Sequence, residues 1–181
     1  MRYSDAEIYD MLAGLLTYPE SDYHQKVIAC STELETLRPS ANHHVRKFAD
    51  YTEELPVYEI QELFTRTFDI NPVCALEVGW QLYGENYERG NFMVKVRRKI
   101  REFGLTESGE LPDHLAHILR ILGRMERDEA HIFTSEFIMP ALDKMIKGLE
   151  GKNNPYEGIL IGIRCELDRR EKANTGDKKN E

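Results

Sequence analysis

The apolar residues of this chain recur three and four apart in segment after segment and almost never alternate, and this constrains the fold more than any other feature. A period of 3.6 buries one face of a helix, whereas a half-buried strand needs a period of two. Caps and breakers cut the pattern into pieces. Ser4-Asp-Ala-Glu7 reads as a capping box, its hydroxyl and carboxylate each satisfying an orphan amide. Ile8, Leu12, Leu15 and Leu16 follow, until Tyr18-Pro19 stops the run. Val27, Cys30, Leu34 and Leu37 predict a second helix ending before Pro39, and Val45, Phe48 and Ala49 a shorter third. Pro56 opens a wide stripe of Val57, Ile60, Leu63, Phe64 and Phe68. Asp69-Ile-Asn-Pro72 breaks it, because the residue before proline avoids helical angles.

Leu76 to Tyr83, with Trp80, predicts a short buried helix, and Asn86 to Phe103 a long amphipathic one stopped by Gly104. Pro112 suits a first helical position, which would place Asp113 in the first turn, facing outward and complementing the helix dipole. Leu115, Ile118, Leu119, Leu122 and Met125 continue that stripe. Pro140 falls inside the run from Phe133 to Ile146 and predicts a kink or a break. Asn154-Pro155 opens a last helix carrying Tyr156, Ile159, Leu160, Ile163 and Leu167. No period of 20–50 residues recurs, which argues against a regular solenoid, and Leu outnumbers Val 18 to 7. The expectation is a single all-α, bundle-like globular domain over residues 1–170, of about eight to ten helices, with 171–181 a disordered tail.

A net charge of −8 and a pI near 5.3 are the reverse of a nucleic-acid binder's balance. Mean hydropathy of −0.54, with no apolar run approaching ~18 residues, argues against membrane insertion. The amino terminus lacks an apolar secretory core, so a cytoplasmic location is expected. Cys30, Cys74 and Cys165 are too scattered for a disulfide framework or a zinc site and read as free thiols. Phosphate loops, a G-x-S-x-G elbow and H-E-x-x-H are absent.

Asp113, His114 and His117 are the most catalytic-looking group, sharing a face at helical spacing. They could ligate a metal, with His43 or His44 joining, and support a metal-dependent hydrolase, but a surface cluster that contacts a partner or is merely solvated is the favoured reading. The run Lys95, Arg97, Arg98, Lys99 and Arg101 could meet phosphate or an acidic partner, or simply face solvent. Trp80, Tyr83 and Tyr87 either line a groove or pack inside.

Three stretches stand in order: Tyr58-Glu-Ile-Gln-Glu-Leu-Phe-Thr-Arg-Thr-Phe68, Tyr83-Gly-Glu-Asn-Tyr-Glu-Arg-Gly90 and Glu110-Leu-Pro-Asp-His-Leu115. Together with Phe137-Ile-Met-Pro-Ala-Leu142 they resemble the NarJ/TorD/DmsD family, the redox enzyme maturation proteins that serve molybdopterin oxidoreductases such as nitrate reductase. The resemblance implies an all-helical chaperone without catalytic turnover; some relatives bind nucleotide or cofactor, but with nothing here resembling a nucleotide loop no cofactor is expected. It implies binding of the N-terminal segment of a catalytic subunit, often a twin-arginine leader, until the molybdenum cofactor is inserted and before export or membrane docking. By matching motif, the peptide groove would involve Phe64, Leu111, Pro112, Asp113 and His114, with Arg89 and Gly90 binding or shaping a turn. Relatives occur as monomers or domain-swapped dimers.

Overall fold

The computed structural model describes residues 4–177. Ten α-helical segments follow one another: α1 (Asp5–Gly14), α2 (Tyr23–Leu37), α3 (Pro39–Thr52), α4 (Val57–Phe64), α5 (Val78–Tyr83), α6 (Tyr87–Glu102), α7 (Leu115–Leu122), α8 (Arg127–Phe133), α9 (Met139–Leu149) and α10 (Tyr156–Asp177). Two π-helical turns, Thr65–Asp69 and Thr134–Ile138, extend α4 and join α8 to α9, leaving nine continuous helices among the described residues. The only extended pairing among those residues is a single antiparallel bridge between Glu77 and His114. The all-α expectation holds.

The central element is α7, in which every residue except Arg120 is buried. It packs between α1 and α6, while α2, α3 and α10 form a second group. One apolar core runs from Ile8 through α7 to Leu167. Close approach within it needs glycine. A Cβ on Gly123, at the end of α7, would lie 2.8 Å from the Ala6 Cα, and one on Gly162 of α10 would lie 3.1 Å from the Ala41 carbonyl oxygen. Beside α10, Phe48, Phe64 and Phe68 surround Tyr156, whose hydroxyl sits 3.2 Å from that of Tyr23. Burial holds both phenols well above their ordinary range, so they stay protonated.

Most sequence signals act as expected. Ser4 Oγ accepts from the Glu7 amide, and Glu7 Oε2 accepts from the Ser4 amide at 2.7 Å. Gly104 takes the left-handed conformation (φ +62°) just past α6. Three expectations change. The third helix is not short: Pro39 starts α3 only one residue after α2, and α3 runs to Thr52. Pro140 does not break its helix. The preceding π-turn absorbs the missing amide, and the chain continues into α9. Pro112 does not open α7. It sits at the second position of a β-turn closed by the His114 amide donating to the Leu111 carbonyl (3.0 Å), and α7 begins at Leu115.

The stretch expected as a tail is helical as far as Asp177. It is docked at its start, where Glu171 contacts His131 and Arg127 donates to the Ala173 carbonyl. Residues 178–181 lie outside the described residues.

Gly123→Ala offers a test of the α1–α7 contact. Helix propensity alone would favour alanine, but the new methyl meets backbone that cannot swing aside. Chemical denaturation should show a loss of about 1–3 kcal/mol.

Candidate functional site

The turn from Leu111 to His114 is the place where sequence reading concentrated its candidates, and it is built as an internal joint. Backbone pairing holds it on both sides: the Val78 amide donates to the Asp113 carbonyl, and the Leu115 amide to the Leu76 carbonyl, each at 2.8 Å. This brings the residues before α5 alongside the entry to α7.

The side chains then face inward. Asp113 is fully buried (0% exposed), and its Oδ2 accepts from Arg89 Nε of α6 at 2.9 Å. The Arg89 guanidinium lies 5.7 Å from the Trp80 ring centroid, stacked on α5. Gly79 is what allows the approach, since a Cβ there would sit 2.6 Å from Asp113 Oδ2. Three helices are thus pinned at one carboxylate. Glu77 lies at the rim, and burial foremost raises its carboxyl above the usual range, with the Asp113 charge adding to the effect.

His114 is buried too. Its Nδ1 accepts from the Ala116 amide and caps α7. Burial, aided by His117, pushes its pKa down to about 3, so the ring is neutral. His117 Nε2 accepts from the Ser108 amide, so Nδ1 carries the proton and donates to the Leu111 carbonyl at 3.0 Å. One imidazole therefore straps the 108–111 loop onto α7.

The expectation that Asp113 faces outward from a first helical turn is overturned: it precedes the helix and points into the core. The metal-dependent hydrolase is not supported either. Asp113 is committed to Arg89, both ring nitrogens of His117 are engaged, and the His114 and His117 rings stand 6.3 Å apart. His43 and His44 pack on each other in α3. Among the described residues no group of three His, Cys, Asp or Glu side chains is placed to hold a metal ion.

The remaining candidates separate. Phe64 is buried, its ring against Tyr18, Phe68 and Tyr156 rather than the turn. Pro112 is buried and Leu111 is 47% exposed. Arg89 belongs to the joint, and Gly90 is an exposed α6 residue with open space around it. Of the aromatics, Tyr83 packs on Phe92, Trp80 donates from Nε1 to the Pro72 carbonyl, and Tyr87 is exposed. The three cysteines are free thiols.

Sequence reading missed a surface depression of about 390 Å³ near Phe64, lined by Tyr18, Tyr58, Gln61, Glu62, Thr65, Arg66 and Ile70. Tyr58 and Ile70 are 65% and 71% exposed. Glu59, Glu62 and Asp69 are exposed on the same α4–π segment. The signal was available, since Tyr58 and Ile70 stand outside the buried stripe of α4.

The fold is one used by redox enzyme maturation proteins. A solved structure from Archaeoglobus fulgidus, assigned to that group, superposes with a TM-score of 0.64 at 17% identity, covering 93% of this chain and 96% of the other. The sequence model of the nitrate reductase delta subunit family matches residues 34–159, and the chain belongs to that family. Among its relatives is the nitrate reductase molybdenum cofactor assembly chaperone NarJ of Escherichia coli, from strains K12 and O157:H7. Each is 24% identical over 161 residues, 87% of this chain and 67% of the relative.

Two measurements test the joint. Asp113→Asn keeps the shape but leaves Arg89 without its counter-charge, and should cost about 2–4 kcal/mol in unfolding free energy. An unchanged melting temperature would contradict the assignment. For His114, the unfolded ring binds a proton below pH ~6.5 while the folded ring does not until about 3. Stability therefore falls as the pH is lowered through that window, by up to about 1.4 kcal/mol per pH unit. His114→Asn retains a capping acceptor, and its pH–stability curve should be flatter between those limits.

Proposed function

We propose that this chain is an assembly chaperone for a molybdenum-cofactor-dependent oxidoreductase of the nitrate reductase type, acting in the cytoplasm by binding rather than by turnover. It holds the N-terminal segment of the catalytic subunit while the cofactor is inserted, before export or membrane docking. The observation that carries this reading is the likeness to NarJ, named as a nitrate reductase molybdenum cofactor assembly chaperone, over 87% of the chain. The family match and the shared fold support it. Among the described residues no helix is long and apolar enough to cross a membrane.

The segment's docking surface in this proposal is the depression beside Phe64. Exposed Tyr18, Tyr58 and Ile70 offer apolar anchorage; Glu62 and Arg66 line the depression, and with Glu59 and Asp69 exposed on the same segment the carboxylates outnumber the one cation, which suits a segment carrying arginine or lysine. Phe64, buried, packs edge-on against Tyr18 at the depression's margin. Pro112, Asp113 and His114 contribute by holding the turn that presents Leu111, the one exposed member of that group.

Deleting the gene should leave the client oxidoreductase short of molybdenum, measured by metal content of the purified enzyme. Full occupancy without this chain would overturn the proposal. On the purified protein, Tyr58→Ser with Ile70→Ser should weaken binding of a peptide copying the client's amino terminus at least tenfold, with little change in melting temperature. Unchanged affinity would remove the depression from the proposed surface.

A further inference from the structure

The outer face of α6 is unlike the rest of this acidic molecule. Phe92, Val96 and Ile100 bury the inner face of the helix. Opposite them, Tyr87, Asn91, Val94, Arg98 and Arg101 follow one another at four- and three-residue steps along a single outward ridge, with Lys95 beside it. Tyr87 is 80% exposed and Val94 62%. The cations of this helix divide by role. Arg97 pairs with Glu107, and Lys99 with Glu102 and Glu129. Lys95, Arg98 and Arg101 are exposed and make no ion pair among the described residues. The ridge from Tyr87 to Arg101 is about 21 Å long at ~1.5 Å per residue.

We propose that this ridge is a second docking surface, and that its occupant is an acidic, amphipathic helical segment of a partner protein, about fourteen residues long. Such a segment would lay its apolar side on Tyr87 and Val94 and its carboxylates against Lys95, Arg98 and Arg101. Charge selects this occupant over other anions. A membrane surface or a nucleic acid spreads its charge across the whole molecule and is repelled by a net charge of −8. A short acidic segment is little wider than the ridge, and with screening over ~8–10 Å it meets the local cations alone. Interface aromatics and arginines are also the side chains that supply most binding energy. The ridge is independent of the depression beside Phe64, whose segment carries Glu59, Glu62 and Asp69 against a single cation, Arg66, and so leans to the opposite charge; the two surfaces can be filled at once by different partners.

The test uses the full chain and a fluorescein-labelled fourteen-residue peptide of Glu, Leu and Ala with carboxylates on one helical face, followed by fluorescence anisotropy. Micromolar binding is expected, weakening with added salt. A control with Lys in place of every Glu should not compete. Lys95→Gln, Arg98→Gln and Arg101→Gln combined should lose at least tenfold in affinity, and so should Tyr87→Ser with Val94→Ser. All five positions are exposed, so the melting temperature should hold. Equal affinity in the wild type and either variant, or no binding at all, overturns the proposal. So does tighter association with phosphatidylglycerol vesicles or duplex DNA than with the peptide, which would make the ridge a lipid or nucleic-acid surface.

Discussion

A single ion pair between Asp113 and Arg89 joins α5 and α6 to the entry of the central helix. Burying a carboxylate completely costs several kcal/mol unless it is matched, and here the match comes from a different helix, over a glycine that leaves room for it. The pair adds little net stability compared with an apolar contact of the same size. What it fixes is position. With Arg89 on α6, Gly79 and Trp80 on α5, and Asp113 at the entry to α7, any shift of these elements leaves a buried charge alone. Because α7 is the central helix, the elements packed on it inherit that placement.

The same joint explains which parts of the fold were legible in the sequence. Helix existence was legible throughout, since a 3.6-residue apolar stripe with a cap or proline at its end leaves no other way to bury its face. The starts of α5 and α7 were not. Leu76 and Glu77 look like helix, yet they are drawn into extended pairing with the 113–115 strand of backbone. Pro112 is as good at the second position of a β-turn as at the first position of a helix, and only the long-range bridge to Glu77 decides between them. Pro140 fails as a breaker for a related reason: a π-turn widens the helix where the amide is missing, a local solution that residue spacing does not reveal.

The candidate site was legible in place and wrong in orientation. The motif resemblance drew attention to residues 111–114, and the turn is indeed a focal point. The chemistry inferred from residue type was surface chemistry, whereas Asp113, His114 and His117 spend their hydrogen-bonding capacity on Arg89, the Ala116 amide, and the Ser108 and Leu111 backbone. A carboxylate and two imidazoles close in sequence resemble a ligand set because both uses need directional polar groups. Burial separates the two, and burial of a turn is a tertiary property. Phe64 shows the complementary case, a side chain that belongs to the core and lies beneath an exposed surface made by its neighbours.

Turning the polar residues of the joint inward has a consequence for how a protein of this kind can bind. With those polar groups committed to one another, the helices leave two mixed patches outside: apolar side chains on α4 and its π-turn beside Glu59, Glu62, Asp69 and Arg66, and apolar side chains on α6 edged by Lys95, Arg98 and Arg101. Both patches sit on helices anchored from beneath, α4 by the Tyr156 aromatic cluster and α6 by the Arg89–Asp113 pair. A patch held on a rigid helix gives up little conformational entropy on binding, so modest contacts translate more fully into affinity. If both patches bind as proposed, the opposite charge balance of their edges would sort the occupants, because a segment that complements one is disfavoured at the other. The buried charge at Asp113 thus serves the surface indirectly, by keeping the α6 ridge where a partner can meet it.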